Sequence, residues 1–299
     1  DKNALHTKLA DKAVCIGPGQ AQKSYLNMKN ILEAACLTGC DGIHPGFGFL
    51  SENAMFAKMC KESNIKFIGP SYEIINLMGN KSNSKELMKK AGVPVIPGSD
   101  GNINNINDAK KIANKIGYPV MLKASAGGGG KGIRLVYTDL ELEKAYDLVK
   151  KEAKSAFNND DIYVEKFIEN PRHIEIQILA DEYGNAIHLG ERDCTIQRNN
   201  QKILEESPSA ILDNSLRKKM GEVAIKAVKA SNYTNAGTIE FLVDKNKKFY
   251  FMEMNTRIQV EHPITEMVTD VDIVKEQIKI ASGMKLGYKQ EDIRFNGYS

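Results

Sequence analysis

Two short β-patterned runs, residues 238–243 and 249–255, each carry a glutamate between apolar neighbours: Ile239-Glu240-Phe241 and Met252-Glu253-Met254. Strand side chains alternate faces, so Glu253 and Asn255 leave one side of the second run and Tyr250 and Met252 the other. The intervening Asp244-Lys-Asn-Lys-Lys248 is turn-rich, and the runs are predicted to close as a hairpin. A two-residue loop at Asn246-Lys247 would set Glu240 directly opposite Glu253. Opposed Cβ atoms lie about 4.5–5.5 Å apart, where like charges repel. Such a pair shares a proton or holds a cation. With Asn255 as a third oxygen donor, a hard ion fits best, Mg²⁺ or Mn²⁺. The alternative is a solvated face neutralised by Lys247 and Lys248. An odd-length loop would turn the glutamates to opposite faces.

The chain is long enough, at 299 residues, for two or three domains. A net charge of +3, without aromatic-basic interleaving, gives no footprint for nucleic acid. No run of 18 apolar residues could span a membrane. Cys15, Cys36, Cys40, Cys60 and Cys194 lack Cys-x-x-Cys spacing, which points to reduced thiols and a cytoplasmic location. Both ends read as cut: Asp1 opens just before an apolar run, and a polar tail closes the chain.

The first third alternates short apolar runs with helical patterns, as in a parallel sheet with helices on its faces. Residues 13–16 and 66–68 read as strands. Residues 27–38 read as a helix stopped by Gly39, and 52–62, 71–78 and 83–91 as further helices. The glycine-bent loop from His44 to Asn53 would lie where ligands bind such sheets, although His44 itself reads as structural. Val93-Pro-Val-Ile-Pro-Gly-Ser99 marks a domain boundary. Helix 107–116 and strand 118–124 follow, then Ser125-Ala-Gly-Gly-Gly-Gly-Lys-Gly132 and strand 133–137.

Four adjacent glycines cost backbone entropy, and presenting N–H groups to phosphate is one use of that freedom. The loop is no Walker A motif, because Gly132 follows Lys131 and a strand comes next. It reads as a flap able to close over a nucleotide, or else as a plain surface hairpin tip. Lys123, in the apolar run Pro-Val-Met-Leu-Lys, favours the first reading, because a buried unpaired lysine is costly.

Helix 139–155 and strand 161–167 lead to residues 173–180, where Ile174, Ile176 and Ile178 alternate with His173, Glu175 and Gln177. Strand 185–190 feeds residues 191–202, dense in charge and read as an irregular site loop, with Glu205–Pro208 beyond. Helix 213–231 precedes the hairpin. After it, Arg257, Gln259 and Glu261 recur at spacing two, so an extended loop would aim all three at one place. Arginine suits capture of a small oxyanion, and a carboxylate beside it can take a proton; a structural ion pair is the alternative. Pro263 would start a last helix, 264–282.

Taken together, EMNTRIQVEHPITE, KASAGGGGKG, HPGFGFLSEN, ENPRHIEIQ and ERDCTIQRNNQK resemble biotin carboxylase, an ATP-grasp enzyme, in order through essentially the whole chain. The fold class implied is α/β and α+β. A truncated Rossmann-like domain at 1–92 would precede an ATP-grasp flap subdomain at 93–167 and an incomplete antiparallel-sheet subdomain at 168–299. The resemblance implies ATP- and bicarbonate-dependent carboxylation of biotin on a biotin carboxyl carrier protein, by way of carboxyphosphate.

By position, Lys81, Lys123, Gly129, Gly130, Glu165, Lys166, Phe167, Ile168 and His173 would hold ATP. Glu240, Glu253 and Asn255 match ligands of two Mg²⁺ or Mn²⁺ ions. Lys202, Arg257, Gln259 and Val260 fall at the bicarbonate site, and Glu261 matches the general base. Lys202, Arg257 and Glu261 would carry catalysis. Asn200 stands where a histidine often contacts the nucleotide, and its amide can hydrogen-bond without carrying charge. The family's first Rossmann strand and a C-terminal arginine are absent, so this chain is expected to turn over little by itself. Asn255-Thr256-Arg257 and His262-Pro263 resemble the acetyl-CoA, propionyl-CoA and methylcrotonyl-CoA carboxylases more than pyruvate carboxylases. Acetyl-CoA carboxylase is the expected assignment, and a propionyl-CoA, methylcrotonyl-CoA or pyruvate carboxylase the alternative. A carboxyltransferase and, at full length, a second copy of the chain are the implied partners. Another ATP-grasp ligase, or a nucleotide-binding module without turnover, remain the competing readings.

Overall fold

The computed structural model describes residues 1–125, 132–157, 159–199 and 201–299. Its elements begin with α1 (Leu5–Leu9), α2 (Met28–Thr38), β1 (Gly42–Ile43), α3 (Ala54–Glu62), β2 (Lys66–Phe67), α4 (Tyr72–Gly79) and α5 (Lys81–Lys90). Next come α6 (Ile106–Ile116), β3 (Val120–Ala124), β4 (Ile133–Val136), α7 (Asp139–Phe157) and β5 (Ile162–Lys166). The last part holds β6 (Arg172–Ala180), β7 (Ala186–Arg198), β8 (Gln201–Glu206), α8 (Asn214–Ser231), β9 (Asn235–Val243), β10 (Phe249–Asn255), α9 (His262–Thr269) and α10 (Ile273–Ala281). Two compact units result: 1–87 with 174–240 and 253–299, and 88–173 with 241–252. The expected boundaries followed the chain, whereas the second unit takes back the segment 241–252.

In the first unit, Asn27 accepts the Asn30 N–H at 3.2 Å to open α2, and Gly39 at φ +69° closes it. Asn53 opens α3 in the same way, accepting from Phe56 N–H at 2.9 Å. β1 and β2 pair in parallel, Gly42 with Lys66 and Ile43 with Phe67, over a core that includes Phe56, Cys60, Phe67 and Ile75. Residues 13–16 do not form the expected strand. Ala13, Val14 and Cys15 are exposed, and no described strand lies beside them to take up their backbone hydrogen bonds.

The large sheet has the order β10-β9-β6-β7-β8. β6 and β7 are antiparallel, as are β7 and β8. Leu179, Ile187, Leu189, Ala236, Ile258, Ile273 and Ile280 share one core beneath it. The segment expected as an irregular site loop is instead largely strand: residues 191–198 lie in β7 and 201–206 in β8, an antiparallel pair whose register shifts between Asp193 and Ile196 and again between Ile196 and Gln197. Glu191, Arg192 and Asp193 are buried within it, and inward-facing charge breaks the alternation by which a half-buried strand is recognised. The expected helix 264–282 is two helices. Asp270 turns left-handed at φ +58°, and Asp272 then caps α10 by accepting from Lys275 N–H at 2.8 Å.

The second unit has the sheet order β4-β3-β5, all antiparallel, with α6 and α7 supplying Ala109, Ala113, Leu142 and Val149 to its core. β3 and β4 pair antiparallel from Val120↔Val136 to Lys123↔Ile133. The glycine-flap reading itself, on Gly127–Gly130 and Lys131, lies outside the described residues, as does Asn200. The loop of the β9–β10 hairpin also departs from expectation. Asp244 N–H donates to Lys248 C=O at 2.8 Å and Lys247 N–H to Asp244 C=O at 2.9 Å, with Lys247 at φ +60°. This is a three-residue connection with a left-handed third residue, one longer than expected, and it moves the register by one.

Candidate functional site

Because the loop is odd, the simple hairpin argument for pairing Glu240 with Glu253 fails. The structure gives each glutamate its own cation. Lys202 Nζ lies 3.1 Å from Glu240 Oε1, and Lys81 Nζ 3.2 Å from Glu253 Oε2. What does reach Glu240 is Asn255, whose Nδ2 donates to Oε1 at 2.8 Å. The burial alternation of β10 slips between Met252 and Glu253, both half-buried, before Met254 and Asn255 are buried in succession.

Lys202 is the centre of this cluster. Its ammonium donates to Glu175 Oε2 at 2.5 Å, Glu261 Oε1 at 2.7 Å and Glu240 Oε1 at 3.1 Å. Burial alone would lower the lysine's pKa, but the Glu175 and Glu240 carboxylates outweigh it and hold the ammonium firmly protonated. Burial likewise works against the Glu261 carboxylate, yet the hydrogen bond from Lys202 keeps its pKa below the usual range. Cys194, fully buried, brings its sulfur within 4.8 Å of oxygens of Glu175 and Glu261. Burial, reinforced by Glu175, pushes that thiol far up, so it stays protonated.

The loop 256–261 is held in place by Glu52, at the end of the glycine-bent loop. Glu52 Oε1 accepts from Thr256 N–H at 3.0 Å, and Oε2 from Arg257 Nε at 3.0 Å. Arg257 then donates to Gln259 Oε1 at 2.9 Å and to Asn255 Oδ1 at 3.1 Å. Gln259 Nε2 reaches Glu240 Oε1 at 3.2 Å. Arg257, Gln259 and Glu261 thus border one cluster, while Val260 is 59% exposed. His44 is engaged at both ring nitrogens, by Gln277 Oε1 at 3.0 Å and Gly46 N–H at 3.1 Å.

Within the second unit, Lys123 Nζ lies 2.7 Å from Glu165 Oε2. Lys123 is therefore not the unpaired charge its apolar strand suggested, and its burial alone no longer calls for a phosphate. Lys166 Nζ donates to the carbonyls of Gly117 and Tyr118 at 3.0 and 2.8 Å, and Phe167 N–H to that of Pro119 at 3.1 Å. Ile168 and His173 are half-buried.

Four residues of the cluster and its support were not among the expected site residues: Glu175, Arg192, Cys194 and Glu52. The available signal was an acidic residue at an inward position of an isoleucine-alternating strand. For Asn255, Glu240 and Glu253 the donors are all oxygen. Glu175, Glu240 and Glu261 make three carboxylates against the two buried-side cations Lys202 and Arg192. That excess of one negative charge suits a hard divalent cation.

Residues 80–289 match the family model described as carbamoyl-phosphate synthase L chain, ATP binding domain, and residues 1–75 that of biotin carboxylase, N-terminal domain. The chain is 59% identical to biotin carboxylase 1 of Bacillus subtilis, over all of this chain and 67% of that protein. It superposes on the biotin carboxylase of Campylobacter jejuni, a complex described as β-γ-ATP, with a TM-score of 0.90 and 54% identity, covering 100% of this chain and 67% of that one. A third relative is the biotin carboxylase domain dimer of Hydrogenobacter thermophilus 2-oxoglutarate carboxylase, solved with MgADP, ADP and bicarbonate. There the TM-score is 0.87 and the identity 55%, over 99% of this chain and 65% of that one. The chain spans about two thirds of the length of each of these relatives.

Proposed function

We propose, for a chain that belongs to the biotin carboxylase family of ATP-dependent ligases, that the Lys202 cluster binds bicarbonate and activates it with ATP for transfer to carrier-bound biotin. The observation that carries this reading is the ammonium of Lys202 held among Glu175, Glu240 and Glu261, with Arg257 and Gln259 at its border. A planar guanidinium and an ammonium bordering one carboxylate cluster, here linked through Gln259 and Glu240, suit a small planar oxyanion. Glu261, kept ionised by Lys202, is placed to accept the bicarbonate proton.

The deprotonated bicarbonate oxygen attacks the γ-phosphorus, ADP leaves, and carboxyphosphate forms. Its breakdown gives CO₂ and phosphate, and the phosphate takes the proton from the biotin nitrogen that then captures CO₂. Positioning and charge neutralisation do most of the work in such a transfer. Glu240, Glu253 and Asn255 would hold Mg²⁺ or Mn²⁺, which neutralises phosphate charge when bound. The nucleotide contacts carried over from the family are Lys81, Lys123, Gly129, Gly130, Glu165 to Ile168, His173 and Asn200.

Asn255-Thr256-Arg257 and His262-Pro263 support an acyl-CoA acceptor (acetyl-CoA, propionyl-CoA or methylcrotonyl-CoA) over pyruvate, and of these acetyl-CoA, with fatty acid synthesis in the cytoplasm, is the acceptor proposed. The partners are then a biotin carboxyl carrier protein, a carboxyltransferase and a second copy of the chain. The test is ATP hydrolysis by the chain extended to the length of its relatives. Hydrolysis dependent on both bicarbonate and biotin is expected, and hydrolysis driven instead by an amine or amino acid would overturn the assignment.

A further inference from the structure

We infer that Arg192 is a positioning residue of the anion site: its guanidinium clamps Glu175 and, through Glu175, fixes the Lys202 ammonium beside Glu261. The inference rests on the reading of Lys202 as a bicarbonate ligand. Arg192 and Glu175 face each other across the β6–β7 pair and are both fully buried. A guanidinium does not shed its charge, so burial has to be matched by acceptors. Nε donates to Glu175 Oε1 at 2.5 Å, and NH1 to Gln177 Oε1 at 2.8 Å and Thr265 Oγ1 at 2.9 Å. NH2 donates to Thr238 Oγ1 at 3.2 Å. Residues of β6, β9 and α9 therefore hold one rigid fork.

Glu175 divides its two oxygens between two cations, Oε1 to Arg192 and Oε2 to Lys202. A carboxylate pinned at one oxygen cannot turn when an incoming anion competes for the lysine. Deprived of Arg192, Glu175 would have only Lys202 to balance its buried charge. It would draw the ammonium fully to itself and away from the Glu261 side. Packing alone does not explain the pair, since apolar side chains of equal volume fill a core at least as stably as a buried ion pair. The adjoining lysine does explain it.

The experiment titrates ¹³C-bicarbonate into the chain extended to the length of its relatives by NMR line broadening, and a fluorescent ATP analogue in parallel. Arg192→Lys keeps the charge and loses the fork. Its bicarbonate affinity is expected to fall roughly tenfold while its nucleotide affinity stays within about twofold, a split that general loss of structure does not produce. Equal bicarbonate affinity in the wild type and Arg192→Lys overturns the inference. A wild type that binds no bicarbonate instead removes the reading of Lys202 on which it rests. Should Arg192→Lys fail to fold, Thr265→Val removes one acceptor of the fork. A roughly threefold loss of bicarbonate affinity is then expected, and unchanged binding overturns the inference.

Discussion

Glu261 accepts a hydrogen bond from Lys202 at 2.7 Å, so the residue proposed as the base is paired with the residue proposed to hold its substrate. The two are 59 positions apart, on the β8 ribbon and at the start of α9. On that proposal, an anion bound at Lys202 would compete with Glu261 for the same ammonium and free the carboxylate to take a proton.

Lys202→Met leaves Glu175, Glu240 and Glu261 without their shared cation. Removing one partner of a buried pair costs about 3–5 kcal/mol, and the partly exposed lysine head places the expected loss at the lower end. In metal-free buffer the variant should gain stability as the pH is lowered from 7 towards 5, because burial, no longer offset by Lys202, raises the Glu261 carboxyl's pKa and it takes up a proton on folding. Thermal melts across that range, compared with the wild type, check the sign.

Glu52→Gln keeps an acceptor for Thr256 N–H but removes the charge that holds Arg257 Nε at 3.0 Å. The pair is partly exposed, so the stability change should be small, roughly 0.5–1 kcal/mol. The KM for bicarbonate in the full-length enzyme should rise about five- to tenfold as the guanidinium loses its anchor. Steady-state kinetics at saturating ATP give the number, and an unchanged KM would show that Gln259 and Asn255 alone fix Arg257.

Gly190 adopts φ +77°, and a Cβ there would lie 1.8 Å from Phe295 Cζ. Gly190→Ala therefore adds both backbone strain and overpacking. A loss of about 3 kcal/mol or more is expected, visible as a lower denaturant midpoint with the slope unchanged.

Asp181 is buried and accepts from the N–H groups of Tyr183, Asn185 and Leu286 at 2.9, 2.9 and 3.0 Å. Burial raises its pKa, but the Asn185 amide and these backbone donors outweigh that and lower it overall. A depressed folded-state pKa stabilises above the unfolded value of about 3.9 and is lost as pH falls through the folded one. Wild type should thus exceed Asp181→Asn in stability at pH 7, and the gap should shrink below about pH 4. A gap independent of pH would mean that the carboxylate charge contributes nothing.

Assayed alone, the 299-residue chain should show little bicarbonate- and biotin-dependent ATP hydrolysis, since it spans about two thirds of its relatives. Turnover equal to that of the extended chain would refute this.

Local chemistry was legible in the sequence wherever it rests on neighbours along the chain. Gly39 stops α2, and the isoleucines of β6 alternate along a strand, although Glu175 and Gln177 between them are buried as well. The loop expected to be extended through Arg257, Gln259 and Glu261 instead bends and turns into α9. The order of motifs pointed to the family. Tertiary structure alone decided the partners of the buried charges. Lys123 met Glu165, Glu240 met Lys202 and Asn255, and Arg192 met Glu175, each from elsewhere in the chain. A charge inside a strand looks like a loop or an orphan until the residue that neutralises it is brought within about 3 Å. That happens only when the sheet closes, and one extra residue in the β9–β10 turn was enough to undo a register inferred from composition alone.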